Sequence, residues 1–308
     1  MKLSLVVPCY NEAEAIPLFY DAVKALSLSV DLEFVFVDDG SKDGSLTVMR
    51  DLASRAPEVR YVSFSRNFGK EAALLAGLRE SSGDTVVTLD VDLQHPVTLL
   101  PEMIAALDSG EYDCSAAQRV TREGEPILRS LFSRMFYTLL NRLSSIEVRS
   151  GETDYRMMTR QVVDAVLSLQ EVNRFTKGIY AWVGFRTKWL TFENVARSAG
   201  TTKWSFWGLL KYSFEGITAF STVPLQLASV VGLLCCLSAF IYMTYIVIKA
   251  IAVGDPVSGW PTLTCLILLL GGIQLLVVGI LGTYLAKLYL ETKHRPVYLI
   301  RERRSETK

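Results

Sequence analysis

Residues 85–92 read TVVTLDVD, an apolar run that ends in two aspartates spaced two residues apart. The same pattern occurs twice earlier, as LVVPCYNE at residues 5–12 and as FVFVDDGS at residues 34–41. A short apolar run that stops at polar turn residues is typical of a strand buried on both faces of a sheet. We therefore predict three buried strands, each followed by a cluster of polar side chains.

Helical patterns separate these strands at residues 14–26, 45–54 and 70–80, and residues 60–64 predict one further strand. Strands and helices that alternate at this spacing predict a parallel sheet with right-handed crossovers. In such sheets ligands bind beyond the carboxyl ends of the strands. The polar clusters at those ends are therefore the candidate site.

The composition indicates that part of the chain lies in lipid. Of the 308 residues, 50% are hydrophobic and only 21% are charged, whereas a globular domain carries about 25% charged residues. No Asp, Glu, Lys or Arg occurs in residues 216–248 or in residues 256–286. Both windows are longer than the roughly 20 residues that cross a bilayer. We predict two transmembrane helices.

The distribution of charge predicts how these helices are oriented. Basic residues flank the helix pair, while the connection between the helices carries one Lys and one Asp. The positive-inside rule then places the long N-terminal portion, with interfacial helices (residues 1–215), and a basic tail (residues 287–308) in the cytoplasm, with residues 216–286 in the membrane. The formal net charge is zero overall, and a basic tail favours an anionic membrane surface over nucleic acid as the partner.

Motifs that are missing from the sequence exclude several kinds of site. No GxGxxG or GxxxxGK[ST] follows the first strand, which disfavours dinucleotide-binding dehydrogenases and P-loop ATPases. With two histidines and no CxxC pair, a zinc site and a Ser-His-Asp triad are also disfavoured. A metal would have to bind carboxylates. Asp90 and Asp92 fit Mg²⁺ or Mn²⁺, which takes oxygen ligands and is shared with substrate phosphates.

Longer motifs resemble a known family. The segments VVPCYNEAEAIP, VFVDDGSKDGS, SRNFGKEAALLAG and LDVDLQHP resemble, in order and spacing, glycosyltransferase family 2 enzymes. With GETDYRMMTR, EVNRFTKG and ETKHRPVY added, the chain is similar over nearly its whole length to polyprenyl-phosphate glycosyltransferases. These include the bactoprenol glucosyltransferases that modify O-antigen in the cell envelope and the dolichyl-phosphate mannose synthases. The resemblance implies an α/β fold of the GT-A type, Rossmann-like with a mostly parallel sheet, followed by the two transmembrane helices.

The resemblance also implies roles for individual residues. The metal would be held by Asp90 and Asp92, while Asp92 and Asp154 would act in catalysis, Asp154 by positioning the acceptor or serving as a base. The residues implied to bind the nucleotide-sugar and its diphosphate are Pro8, Tyr10, Glu12, Val37, Asp39, Asp90, Val91, Gln94, Arg119, Arg197 and Lys203.

Two further residues sit in motifs that have a simpler structural interpretation. Lys70 in RNFGKE lines the candidate site or merely belongs to a helix N-terminus. His95 follows the two aspartates but is best interpreted as part of a turn.

Residues 127–143 are predicted to bring the lipid acceptor to the candidate site. Their apolar residues repeat on one face of a helix. Such a helix lies in the membrane interface or packs on the domain core. Arg134, away from the apolar face, is the candidate for the acceptor phosphate, together with Arg119.

The resemblance favours transfer of glucose from UDP-glucose to undecaprenyl phosphate, with inversion, with Mg²⁺ or Mn²⁺, and by a homo-oligomer such as a tetramer. Mannose, galactose, an N-acetylhexosamine or an aminoarabinose derivative as the sugar remain alternatives. Another alternative is an inactive scaffold that only binds the nucleotide-sugar. A flippase is disfavoured because the predicted helices carry no charged residue. The QxxRW motif of processive synthases is absent, and the chain reads GTY at residues 282–284, where relatives often read GEY.

Overall fold

The computed structural model describes residues 1–119, 149, 151–192, 221, 223–253 and 259–304. Eight strands form one sheet within these ranges. The strands are β1 (Lys2–Cys9), β2 (Asp31–Asp38), β3 (Val59–Phe64), β4 (Thr85–Thr88), β5 (Cys114–Arg119), β6 (Glu152–Thr159), β7 (Thr187–Phe192) and β8 (Ile300–Arg304). The helices are α1 (Ala15–Ala25), α2 (Ser45–Arg55), α3 (Lys70–Glu80), α4 (Leu100–Asp108), α5 (Arg160–Ser168), α6 (Thr176–Val183), α7 (Val223–Val253) and α8 (Trp260–Thr292).

The sheet has the order β7-β5-β6-β4-β1-β2-β3-β8. Strands β1 to β4 are mutually parallel, as the alternation of strands and helices predicts. Strand β6 runs antiparallel to both β4 and β5, and β8 runs antiparallel to β3. The predicted mostly parallel sheet is confirmed, and the reversed strand β6 is an addition that shapes the site described below.

Both faces of the central strands are buried, because helices cover the sheet on each side. In β1 the side chains of Leu5 and Val7 join a core with Phe36 and Met49 on one face. Val6 joins a second core on the other face. A Cβ at Gly77 of α3 would overlap the side chain of Val6, so this glycine allows α3 to lie directly on the sheet. The continuous apolar pattern of these strands therefore reflects two buried faces.

Helices α7 and α8 pack against each other and are long and apolar enough to cross a membrane. Their described side chains are mostly exposed to the surroundings, including Ile241, Leu275 and Leu276, each more than 60% exposed. Large apolar side chains at this exposure are unusual on a soluble surface. The helix pair therefore presents a large apolar surface that the rest of the described protein does not bury.

The chain after α8 returns to the sheet. Strand β8 pairs with the outer edge of β3, where Arg50 Nε donates to Glu302 Oε1 at 2.8 Å and Arg303 pairs with Glu80 at 3.0 Å. The sequence predicts only a basic tail for residues 287–308. In the structure residues 300–304 cover a sheet edge that would otherwise be open.

Candidate active site

The carboxyl ends of β1, β2 and β4 meet at one edge of the sheet. Cys9 at the end of β1 lies opposite Asp38 at the end of β2, and the Asp39 N–H donates to the Cys9 carbonyl at 2.9 Å. On the other side of β1, the Leu89 N–H donates to the Val6 carbonyl at 3.2 Å. The polar residues after the three strands are thereby brought to a common edge, as predicted.

The turn after β1 is tied to the loop after β2. Asn11 has a left-handed backbone (φ 56°), its N–H donates to Ser41 Oγ at 2.9 Å, and its side-chain oxygen accepts from the Lys42 N–H at 2.9 Å. The Glu12 N–H donates to Ser45 Oγ at 2.8 Å. Pro8, Tyr10 and Glu12, which the resemblance assigns to the nucleotide, are partly exposed around this turn.

The two aspartates at the end of β2, Asp38 and Asp39, are buried and accept hydrogen bonds from neighbouring segments. Asp39 accepts from the N–H groups of Phe68 and Gly69 at 2.6 and 3.0 Å, and Asp38 accepts from Ser63 Oγ at 2.6 Å. Burial raises the pKa of Asp39, although the two N–H donors act in the opposite direction. Asp39 therefore connects the loop after β2 to the start of α3.

Lys70, the first residue of α3, lies between two carboxylates. Its Nζ is 2.7 Å from Oδ1 of Asp90 and 2.6 Å from Oδ2 of Asp154. Asp90 follows β4, whereas Asp154 lies in β6, and Thr88 pairs with Arg156 in the antiparallel register of these strands. Continuing that register by two residues sets Asp90 opposite Asp154. The reversed direction of β6 thus brings two distant acids onto one ammonium group.

Lys70 and Asp154 are held in their charged forms. Burial by itself would raise the pKa of Asp154, but Lys70 and Lys177 hold it well below the usual range. Burial would lower the pKa of Lys70, and its two carboxylate partners raise it instead. An anionic Asp154 and a cationic Lys70 therefore persist at neutral pH.

Asp90 and Asp92 are the candidate ligands for a divalent cation. The Asp90 side chain is 31% exposed and lies beside Lys70. Asp92 is also partly exposed, and one of its oxygens accepts from the Gln94 N–H at 3.2 Å. Across the described ranges, no group of three or more His, Cys, Asp or Glu side chains is arranged to hold a metal. Two carboxylates that leave the remaining positions to phosphate and water fit Mg²⁺ or Mn²⁺.

His95 packs behind the loop formed by the two aspartates rather than facing outward. Its ring centroid lies 5.7 Å from that of Tyr155 and 5.6 Å from that of Phe192. Burial lowers the pKa of His95, so the imidazole is neutral. The structure supports its interpretation as a packed turn residue.

The other candidate site residues fall into three groups. The side chains of Val37 and Val91 are 0% and 3% exposed, so they belong to the core and leave only backbone atoms for a ligand. Arg119 ends β5, where its N–H donates to the Gly151 carbonyl at 2.9 Å. Arg197 and Lys203 lie outside the described ranges, as does the predicted helix of residues 127–143 with its Arg134.

The central position of Lys70 is the feature that sequence reasoning underestimated. The motif RNFGKE offered a signal, since it places a lysine at a helix start beside a site rich in acids, but a helix N-terminus accounts for the same pattern. Glu71 was missed altogether. It accepts hydrogen bonds from the N–H of Thr176 at 2.9 Å and from the Thr176 hydroxyl.

Comparison with known proteins identifies the family. Residues 4–167 match Glycosyl transferase family 2. The bactoprenol glucosyl transferase of Shigella phage SfX is 42% identical over 306 residues, covering 99% of this chain and 100% of that protein. The CsbB protein of Bacillus subtilis (strain 168) is 42% identical over 302 residues, covering 97% of this chain and 91% of that protein. The crystal structure of glucosyl-3-phosphoglycerate synthase from Mycobacterium tuberculosis with phosphoglyceric acid aligns at 24% identity and a TM-score of 0.47, covering 70% of this chain and 78% of that one.

The family match covers more than half of the chain, and relatives align over nearly all of it. The resemblance seen in the motifs is thereby confirmed. The chain belongs to glycosyltransferase family 2 and is a glycosyltransferase with a GT-A fold.

Proposed function

We propose that this glycosyltransferase moves glucose from UDP-glucose to a polyprenyl phosphate, undecaprenyl phosphate, at the cytoplasmic face of the inner membrane. The observation that carries the proposal is the cluster of Lys70, Asp90 and Asp154 at the strand ends of a chain that also bears two long apolar helices. A relative aligned over 99% of this chain is named a bactoprenol glucosyl transferase, which supports both the sugar and the lipid.

The membrane location is supported by the surfaces of α7 and α8. Almost none of either apolar window is buried within the described protein, and a bilayer would cover such surfaces. Strand β8, which follows α8, pairs with the catalytic sheet. We infer that the chain crosses the membrane twice before it rejoins the same sheet, which would put residues 1–215 and the tail on one side. The excess of basic residues outside the connecting loop favours the cytoplasmic side.

The reaction we propose is one in-line displacement. A phosphate oxygen of the lipid forms a bond to the anomeric carbon of the sugar, the bond from that carbon to the diphosphate breaks, and UDP leaves with inversion at the carbon. The acceptor oxygen is already anionic, so the step needs no strong base. Asp154, with its lowered pKa, is a weak base. Its proposed role is to orient Lys70 and the acceptor rather than to take a proton.

The loops at the strand ends are proposed to bind the diphosphate of the sugar donor. Asp39 holds the backbone at Phe68 and Gly69, and Lys70 provides a fixed positive charge beside the site where the diphosphate leaves. A divalent cation on Asp90 and Asp92 would supply further neutralisation of the leaving group. Gln94, Arg119, Arg197 and Lys203 are proposed to contact the same phosphates, and Arg134 the phosphate of the acceptor.

The experiment is transfer of radiolabelled sugar from UDP-glucose to undecaprenyl phosphate by the full chain in detergent, with Mg²⁺, with Mn²⁺ and with EDTA. We expect metal-dependent formation of a lipid-extractable sugar. Product from another nucleotide-sugar in a panel, and none from UDP-glucose, would replace glucose but keep the reaction class. A folded, metal-supplied protein that transfers nothing from the whole panel would overturn the proposal in favour of a scaffold that only binds the donor.

A further inference from the structure

Glu291, in the last turn of α8, is bonded to a loop of the catalytic domain. Its carboxylate accepts from the Val172 N–H at 3.0 Å (Oε1) and 3.1 Å (Oε2). The Asn173 N–H and the Asn173 side-chain amide also donate to Oε1, at 3.1 and 3.3 Å. Two successive backbone N–H groups that face one carboxylate form charge-assisted bonds in a fixed geometry. This arrangement differs from a loose ion pair between two long side chains.

The same loop is bonded to the active site at its other end. Thr176 donates through its N–H and its hydroxyl to Glu71, which is adjacent to Lys70 on α3. Lys177 Nζ donates to the Glu152 carbonyl at 2.8 Å, two residues before Asp154 in β6. Residues 172–177 therefore form a short bridge, with the end of the apolar helix on one side and Lys70 and Asp154 on the other.

The bridge is stiffened from within the domain as well. Arg174 Nη1 donates to the Leu169 carbonyl at 2.7 Å, and Phe175 beside it is buried. Residues 172–177 are therefore held at both ends and from within. We expect a displacement of Glu291 to shift Thr176 and Glu71 as well. Among the described contacts, those made by Glu302 and Arg303 join the tail to α2 and α3 at the far edge of the sheet, away from this bridge.

We propose that Glu291 is a positioning residue, which sets α8 against residues 172–177 so that a membrane-embedded acceptor phosphate meets the sugar donor at Lys70 and Asp154. This inference rests on the proposed function, because it assigns Glu291 a role in the use of a lipid acceptor. Glu291 touches neither substrate in this role. Its removal therefore affects delivery of the acceptor while donor binding stays intact.

The test compares the variants E291A and E291Q with wild type, all as the full chain in liposomes. The acceptors are undecaprenyl phosphate and a short, water-soluble isoprenyl phosphate that needs no alignment with the bilayer. For E291A we expect kcat/KM with the membrane acceptor to fall roughly tenfold, as two backbone donors lose their acceptor. The soluble acceptor and the Kd of UDP should change less than twofold. E291Q keeps an amide oxygen as acceptor and should recover part of the loss.

E302Q serves as the matched control, since it also weakens a contact between the tail and the domain but leaves the bridge alone. Hydrogen exchange at the amides of residues 172–176 is measured on the same proteins and should accelerate in E291A but not in E302Q. Equal losses with both acceptors, weakened UDP binding, or unchanged amide exchange would each overturn the inference. Wild-type protein that transfers nothing, with exchange accelerated in E291A, would instead contradict the proposed function.

Discussion

The Nζ of Lys70 lies 2.6 Å from Oδ2 of Asp154, while its other partner, Asp90 Oδ1, is 2.7 Å away. The three residues come from the start of α3, from β6 and from the loop after β4. Two carboxylates this close to one point would repel each other without a cation between them. Lys70 therefore maintains the geometry of both acids and also supplies positive charge to the site.

Substitution of Lys70 by methionine keeps much of the apolar stem and removes the charge. We expect sugar transfer to fall by about 100-fold or more, in line with the loss of a fixed electrostatic contact in an active site. The measurement is the initial rate of radiolabel incorporation into lipid. Lys24→Met is the control, because Lys24 pairs with Glu58 on the surface, away from the site. A K70M enzyme within twofold of wild type would contradict the assignment.

The carboxylates after β4 give a second prediction. Asp90→Ala and Asp92→Ala should each abolish metal-dependent transfer, since no third acid, His or Cys joins them in a metal-holding group within the described ranges. The circular dichroism spectrum should be unchanged, as both side chains are partly exposed and neither belongs to the core. Asp108→Ala, at the end of α4, is the control. Retained turnover in either variant would rule out the metal site.

Gly40, in the turn after β2, and Gly110 both have left-handed backbones. Comparing Gly→Ala at the two positions separates the stability cost of steric overlap from that of backbone strain. Gly40 has φ +67°, and a Cβ there would lie 2.7 Å from the backbone N of Asn67. Gly110 has φ +71° with nothing within 4 Å of its Cβ position. Both Gly→Ala variants carry the strain of a left-handed backbone, about 1 kcal/mol, but only G40A adds the overlap, which typically costs about 1–3 kcal/mol.

The melting temperature of G40A should therefore lie below that of G110A, and G40A alone should also lose activity. The loss of activity follows because the loop at Arg66 and Asn67 leads directly into Lys70. Equal melting temperatures for the two variants would show that the turn can relax away from that loop.

A buried carboxylate near the amino-terminal end of β2, at the opposite end of the strands from the candidate site, predicts how stability depends on pH. Burial alone would raise the pKa of Glu33, but hydrogen bonds from Ser4, Ser82 and the Arg60 guanidinium lower it from 4.5 to about 2. A pKa that is lower in the folded state stabilises the protein above the unfolded value, and that stability is lost as the pH falls from about 4.5 towards 2. The shift corresponds to about 3 kcal/mol.

The variant Glu33→Gln should lose this contribution at neutral pH. Between pH 5 and pH 3, a range around the ordinary carboxyl pKa of about 4, its melting temperature should decline less steeply than that of wild type. Thermal unfolding in detergent across that range measures both effects. An unchanged slope for E33Q would show that other carboxylates govern the acid limit of stability.

Much of the fold can be predicted from the sequence, because the pattern of apolar residues is a local property of the chain. Strands β1, β2 and β4 each contain an unbroken apolar stretch, at residues 5–7, 34–37 and 86–87, so burial on both faces and the polar ends of those strands follow directly. Asp39, Asp90 and Asp92 could be placed at one edge of the sheet for the same reason. The lengths of the charge-free windows likewise predict α7 and α8.

The partners of those residues depend on tertiary structure. Asp154 meets Asp90 only because β6 runs antiparallel to β4 in the register that pairs Arg156 with Thr88. No local pattern encodes a register between strands so far apart in the chain. The bonds from Glu291 to Val172 span 119 residues, and the pairing of β8 with β3 is of the same kind. Residue composition and periodicity determine which segments are buried and where acids follow strands, whereas the folded chain decides which acid shares Lys70 and which loop Glu291 holds.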